Sequence, residues 1–215
     1  MNNPKEMIEE FLKDRNKDDR YSSFDYCYGY FYSFYRNNEI IKIADEKNIE
    51  ISCLQLGFYL ASWGMMRGSS FLLQRSARNF KNLMINISQL DKAFWEIDVE
   101  AYSDENIKKL LELKKIINTS FGEDDLPSET LITKIMLGVF GNIPAFDRYF
   151  KDGMKVNSVN KKNLQKIKDF YLENKIIIDS IDIKALDFKT GEDTNIKYTK
   201  AKIIDMYGFT KGFNM

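Results

Sequence analysis

Few residues in this chain are equipped for chemistry, because there is no histidine among its 215 residues. That absence removes the commonest general base, the Ser-His and Cys-His nucleophile systems and every histidine-containing zinc site. Cys27 and Cys53 are the only cysteines, and their separation is neither a CxxC redox motif nor a four-ligand zinc pattern. They read as buried thiols in a reducing compartment, and neither a metal nor a cofactor is expected. Two segments remain. In Phe146-Asp147-Arg148-Tyr149-Phe150 a carboxylate stands among rings and beside a cation. Such a group is partly stripped of water, which makes Asp147 the candidate catalytic residue, with Arg148 and Tyr149 as binding neighbours. In Trp63-Gly64-Met65-Met66-Arg67-Gly68-Ser69-Ser70, a glycine-punctuated break carries Arg67 and two hydroxyls, Ser69 and Ser70. Backbone N–H groups, hydroxyls and an arginine are the parts of an anion site. No Lys follows the second glycine as in a Walker A loop, and the spacing is not GxGxxG. Each segment also has a plainer reading. Gly64 can end one helix while Ser69 caps the next and Arg67 is solvated, and Asp147 can cap a turn or pair with Arg148 or Lys151.

Charge is balanced in total, with 32 basic and 32 acidic residues, so no global field announces a polyanionic partner. Its distribution is uneven. Ile51 to Leu90 holds Arg67, Arg75, Arg78 and Lys81 and no acid, and Arg148 to Lys168 holds seven basic residues against Asp152. The balancing acid sits in Asp91 to Glu105 and Glu123 to Glu129. If the basic blocks meet, Arg67, Ser69, Ser70, Arg75, Arg148 and Tyr149 form a cationic face for nucleic acid or a phosphorylated ligand. The alternative is that basic and acidic segments neutralise one another across the surface.

The elements that must position these residues read as helices. Asn3-Pro4-Lys5-Glu6 is a helix start, followed by an apolar stripe at Met7, Ile8, Phe11 and Leu12. Tyr21, Phe24, Tyr28, Phe31 and Tyr35 step by three and four, and Tyr26, Tyr30 and Phe34 form a second stripe. A helix aromatic on two faces is expected to be core, and base stacking on its tyrosines is the other use of such rings. Asp25 within it needs a partner such as Arg67, Arg75 or a tyrosine hydroxyl. Further helices are predicted at residues 38–47, 51–63, 70–87, 103–119, 128–140, 160–178 and 197–207. Turns fall at residues 63–68, 121–125, 141–144 and 190–193, and no strand is expected. The whole predicts an all-α fold, a single compact domain of about eight to ten helices, with residues 1–20 as a peripheral charged helix. The longest uncharged apolar run, Ile51 to Met66, is sixteen residues, short of the roughly 18 to 20 that span a bilayer. The charged N-terminus is not a signal peptide. A soluble, cytoplasmic protein without a membrane partner is expected.

One region resembles a known family. Leu126-Pro127-Ser128-Glu129-Thr130-Leu131-Ile132-Thr133-Lys134, an apolar helix, then Phe140-Gly141-Asn142-Ile143-Pro144-Ala145-Phe146-Asp147 resembles the helix-hairpin-helix region of DNA base-excision glycosylases. The resemblance implies DNA phosphate held by the hairpin backbone and a carboxylate acting as a flipped base departs. By position it makes Asp147 that carboxylate and Thr133 the residue opening the helix after the hairpin. The hairpin glycines of the family fall at Ser128 and Thr130, and the lysine that some members use as a nucleophile falls at Ile132. The implied relative is a nucleic-acid-associated or phosphate-binding helical protein. The other function class is a helical interaction protein that buries aromatic surface against a copy of itself or another chain.

Overall fold

Asn3 accepts a hydrogen bond from the Lys5 N–H at 3.1 Å, and Pro4 opens the first helix, as that N-terminal pattern requires. The computed structural model describes residues 3–122 and 125–215, so Glu123 and Asp124 of the predicted 121–125 turn lie outside the described residues. Among the described residues there are ten α-helices: α1 Pro4–Lys13, α2 Ser23–Arg36, α3 Ile49–Ser62, α4 Lys81–Ser88, α5 Asp104–Thr119, α6 Glu129–Phe140, α7 Arg148–Met154, α8 Lys161–Glu173, α9 Lys175–Asp179 and α10 Lys200–Phe213. The fold is all-α, one helical domain carrying a single antiparallel hairpin of β1 Lys184–Leu186 and β2 Asp193–Lys197.

Several expectations change in detail. The helix predicted at 38–47 is a 3-10 segment, Ile40–Ala44. The helix predicted at 70–87 is two 3-10 turns, Phe71–Gln74 and Ala77–Phe80, followed by α4. Ser70, Arg75 and Ser76 take extended backbone angles that interrupt it. The helix predicted at 160–178 breaks at Asn174. The hairpin escapes a search for period-two hydrophobicity because β2, Asp-Thr-Asn-Ile-Lys, alternates only between exposed and half-buried positions. The N-terminal helix is not peripheral: Ile8 and Phe11 are buried, and α1 packs on α10.

α6 is buried from Leu131 through Phe140, which is what a helix apolar on every face does. α2 crosses it, with Phe24, Cys27, Tyr28 and Phe31 inside, so the aromatic stripe is core. α10 lies against α7 at backbone distance. A Cβ on Gly153 would collide with the Gly208 carbonyl oxygen, and one on Gly212 with the Tyr149 carbonyl oxygen. Only glycine permits that approach.

Gly212→Ala is therefore expected to cost about 2 kcal/mol or more through overpacking. Gly29→Ala in α2, whose Cβ would have only Ile196 Cδ1 at 3.9 Å as a neighbour, should gain about 0.5–1 kcal/mol from helix propensity. Chemical denaturation checks both, and equal effects would mean the α7–α10 contact is not backbone-limited.

Candidate functional site

The segment between α6 and α7 is held from four sides. Gly141 ends α6 at φ +66, a left-handed cap. The buried Asn142 amide donates to the Phe94 carbonyl at 3.1 Å, and the Tyr102 hydroxyl donates to the Asn142 carbonyl at 2.7 Å. The Ala145 N–H donates to Asp205 Oδ1 at 3.0 Å, and the Phe146 N–H donates to the Thr133 hydroxyl at 2.9 Å. Thr133 therefore sits one turn inside α6, which Ser128 opens by accepting from the Leu131 N–H.

These anchors deliver Asp147 to the N-cap of α7, where Oδ1 accepts from the Phe150 N–H at 3.0 Å. Oδ2 accepts from Lys134 Nζ of α6 at 3.1 Å. The lysine side chain is 5% exposed and the aspartate 16%, so both charges are largely out of water and must balance each other. The Lys134 ammonium also lies 5.1 Å from the centre of the Trp63 ring.

This pair forms one wall of a cavity of about 690 Å³. Arg67, Arg148 and Tyr149 line the same cavity, as does Arg20 from the loop before α2. Trp63, Phe209 and Phe213 supply its apolar wall, and Phe209 and Phe213 each meet Tyr149 edge-on at 5.3 Å. Four of the seven residues expected at a site, Arg67, Asp147, Arg148 and Tyr149, are thus brought together. Of the four cations in the lining, Lys134 is committed to Asp147. Arg148 reaches Asp152 only at 3.9 Å with both side chains exposed, a pair of little energetic weight. Arg20 and Arg67 make no ion pair among the described residues. The Arg20 guanidinium lies over the Tyr21 and Trp63 rings at 5.2 and 5.6 Å.

The other three expected residues are elsewhere. Arg75 forks onto Asp125, with Nη2 to Oδ1 at 2.7 Å and Nε to Oδ2 at 2.9 Å, so it joins the acidic segment instead of the cavity. Burial of that arginine's partner is offset by the pairing, which holds the Asp125 carboxyl below its ordinary range. Ser70, not Ser69, is the cap: its hydroxyl accepts from the Leu72 N–H at 3.3 Å, and Ser69 is exposed in the turn before it. The second basic block is drawn away as well. Lys161 pairs with Asp104 at 2.7 Å, and Lys168 donates to the Tyr102 carbonyl at 2.9 Å. Only Arg148 of that block lines the cavity. Arg20 and Lys134 were hidden in the sequence for opposite reasons. Arg20 is one charge in a charged N-terminal run, whereas Lys134 is the lone cation in an otherwise apolar helix whose only other charge is Glu129 in its first turn, a signal in plain view. Among the described residues no group of three or more acidic or cysteine side chains is placed to hold a metal.

Asp25 finds its partner in Arg15 rather than Arg67 or Arg75. The Arg15 fork reaches its two oxygens at 3.0 and 3.2 Å, and the Tyr198 hydroxyl donates to Oδ1 at 2.5 Å. Burial raises the Asp25 carboxyl, and Arg15 opposes the rise. A carboxyl raised above its unfolded value favours folding at low pH, and that contribution fades as pH climbs towards the folded value.

Arg15→Ala should accordingly cost about 3 kcal/mol near pH 7 by leaving a buried carboxylate unpaired. Part of the loss should return on acidification, as Asp25, its carboxyl raised by burial, takes up a proton. A loss independent of pH, measured by urea unfolding, would mean Arg15 acts through its contact with the Lys184 carbonyl instead. No protein-family model, no curated protein and no solved structure matches the chain, so its chemistry has to be read from this cavity alone.

Proposed function

We propose that the cavity bounded by α3, α6, α7 and α10 is a phosphate-binding site and that the protein acts on, or holds, a phosphorylated ligand of the nucleic-acid class. The observation that carries this reading is the charge imbalance of the lining. Arg20, Arg67 and Arg148 face a concave space whose one carboxylate, Asp147, is already balanced by Lys134. Guanidinium groups match phosphate geometry, and an uncompensated group of them in a recess concentrates anions. Asp147 is the residue through which hydrolytic chemistry at this site would run. The glycosylase resemblance supports that assignment of place. Lys134, two residues beyond the position that the resemblance gives to a nucleophilic lysine, is the amine that the fold sets against it.

A second reading has its own support. Ile51, Leu54 and Phe58 of α3 are 48, 52 and 68% exposed, and Phe188 at the hairpin tip is 73% exposed beside them. An apolar stripe of that kind suits an interaction protein.

Salt-dependent binding separates the two. Affinity for a single-stranded oligonucleotide should fall steeply with added salt, and Arg67→Ala should weaken it about tenfold, the worth of one charge-assisted hydrogen bond. Salt-insensitive self-association that survives Arg67→Ala and is lost in Phe58→Asp would favour the interaction reading. For Asp147, the informative variant is Asp147→Asn combined with Lys134→Met, which removes both charges together. The single Asp147→Asn change should cost about 3 kcal/mol by stranding the lysine, and the double variant should recover much of it. Base release or strand cleavage by the wild type that persists in a folded double variant would rule out Asp147 as the reacting group.

A further inference from the structure

We propose that the cavity selects a linked pair of phosphates, a pyrophosphate group, over an isolated phosphate or an internal phosphodiester. This rests on the phosphate-binding reading above and narrows it. Three guanidinium groups border the recess from three separate parts of the chain: Arg20 before α2, Arg67 after α3 and Arg148 at the start of α7. The fourth cation, Lys134, contributes little net charge because it is committed to Asp147. Three guanidiniums present three planar forks, each able to grip two oxygens. An internal phosphodiester has two free oxygens and a single charge, enough for one fork. A phosphate monoester carries about two charges at neutral pH. A pyrophosphate group has six terminal oxygens and more charge than either, so three forks can each take two oxygens without sharing any, which a single phosphate does not allow.

Two further features point the same way. The cavity of about 690 Å³ falls in the usual size range of small-ligand sites, well beyond what one phosphate fills. The carboxylate that lines it has both oxygens engaged, Oδ1 by the Phe150 N–H and Oδ2 by Lys134. Neutralising the ligand therefore falls to the arginines, and binding does not depend on a divalent ion.

The chain has two tryptophans, which provides the readout. In Trp95→Phe, the remaining indole is Trp63 in the cavity wall. Its fluorescence is titrated, in EDTA, with inorganic phosphate, pyrophosphate, dimethyl phosphate and ADP, and calorimetry of the unmodified protein reads the same affinities should Trp95→Phe fold poorly. Pyrophosphate should bind about tenfold or more tighter than phosphate, the worth of an added charge-assisted contact, and dimethyl phosphate weakest. Arg67→Ala and Arg148→Ala should each narrow the ratio of pyrophosphate to phosphate affinity. ADP tighter than pyrophosphate supports the proposal with a nucleoside diphosphate as the source, and equal affinity supports it with the inorganic group. Phosphate and pyrophosphate binding within twofold of each other would overturn the selectivity while leaving a phosphate site intact. No response to any of the four would overturn the phosphate reading itself.

Discussion

The backbone-to-backbone seating of α7 on α10 is the constraint on which the rest of the site depends. Gly153 of α7 meets Gly208 and Gly212 of α10 with no side chain between them, and Gly212 lies under the Tyr149 carbonyl. Interiors are close-packed, so a contact of this kind has one register. With α7 fixed in that register, its first residues are fixed too. Asp147 stands over Lys134, Tyr149 meets Phe209 and Phe213 edge-on, and Arg148 lines the same recess. Phe150 and Met154 of this seven-residue helix fill the interface with α10, while Arg148 and Tyr149 at its start line the recess.

Around that recess the fold collects buried charge. Lys134 pairs with Asp147, Lys202 with Asp205 at 3.0 Å, and Arg15 with Asp25. Trp63 lies near two of these pairs, with the Lys134 and Lys202 ammonium groups 5.1 and 5.7 Å from its ring centre. Phe24 and Phe11 also face Lys202, at 4.6 and 4.9 Å. Buried pairs return little net stability once desolvation is counted, but losing one partner is costly. Lys134–Asp147 ties α6 to the start of α7, Arg15–Asp25 ties the N-terminal segment to α2, and Asp205, paired with Lys202 within α10, also accepts from the Ala145 N–H. Arg20, Arg67 and Arg148 stand apart from this internal neutralisation, which is how a chain with no net charge carries a local cationic surface.

The helical class was legible from periodicity and caps. Asn3, Ser103, Ser128 and Asn160 all accept from backbone N–H groups at helix starts. Breaks inside apolar runs were not legible. Nothing in Ser70 to Ser76 forbids a helix, and at Asn174, where one breaks, the side-chain amide bonds the Phe170 carbonyl, a contact that local pattern does not announce. Asp147, Arg67, Arg148 and Tyr149 stand out in the sequence because their types are chemically suggestive and their segments unusual, and the fold sets all four around one cavity. Arg75 was assigned to the same site on charge alone, and a long-range partner, Asp125, claimed it. Pairing across fifty residues is a tertiary fact that local pattern does not contain.

The most direct measurement is a crystal structure of the protein grown with pyrophosphate. Phosphate oxygens should lie within hydrogen-bond reach of the Arg67 and Arg148 guanidiniums, with the Lys134–Asp147 pair intact behind them. Phosphate density on the α8 lysines with the recess empty would contradict that placement.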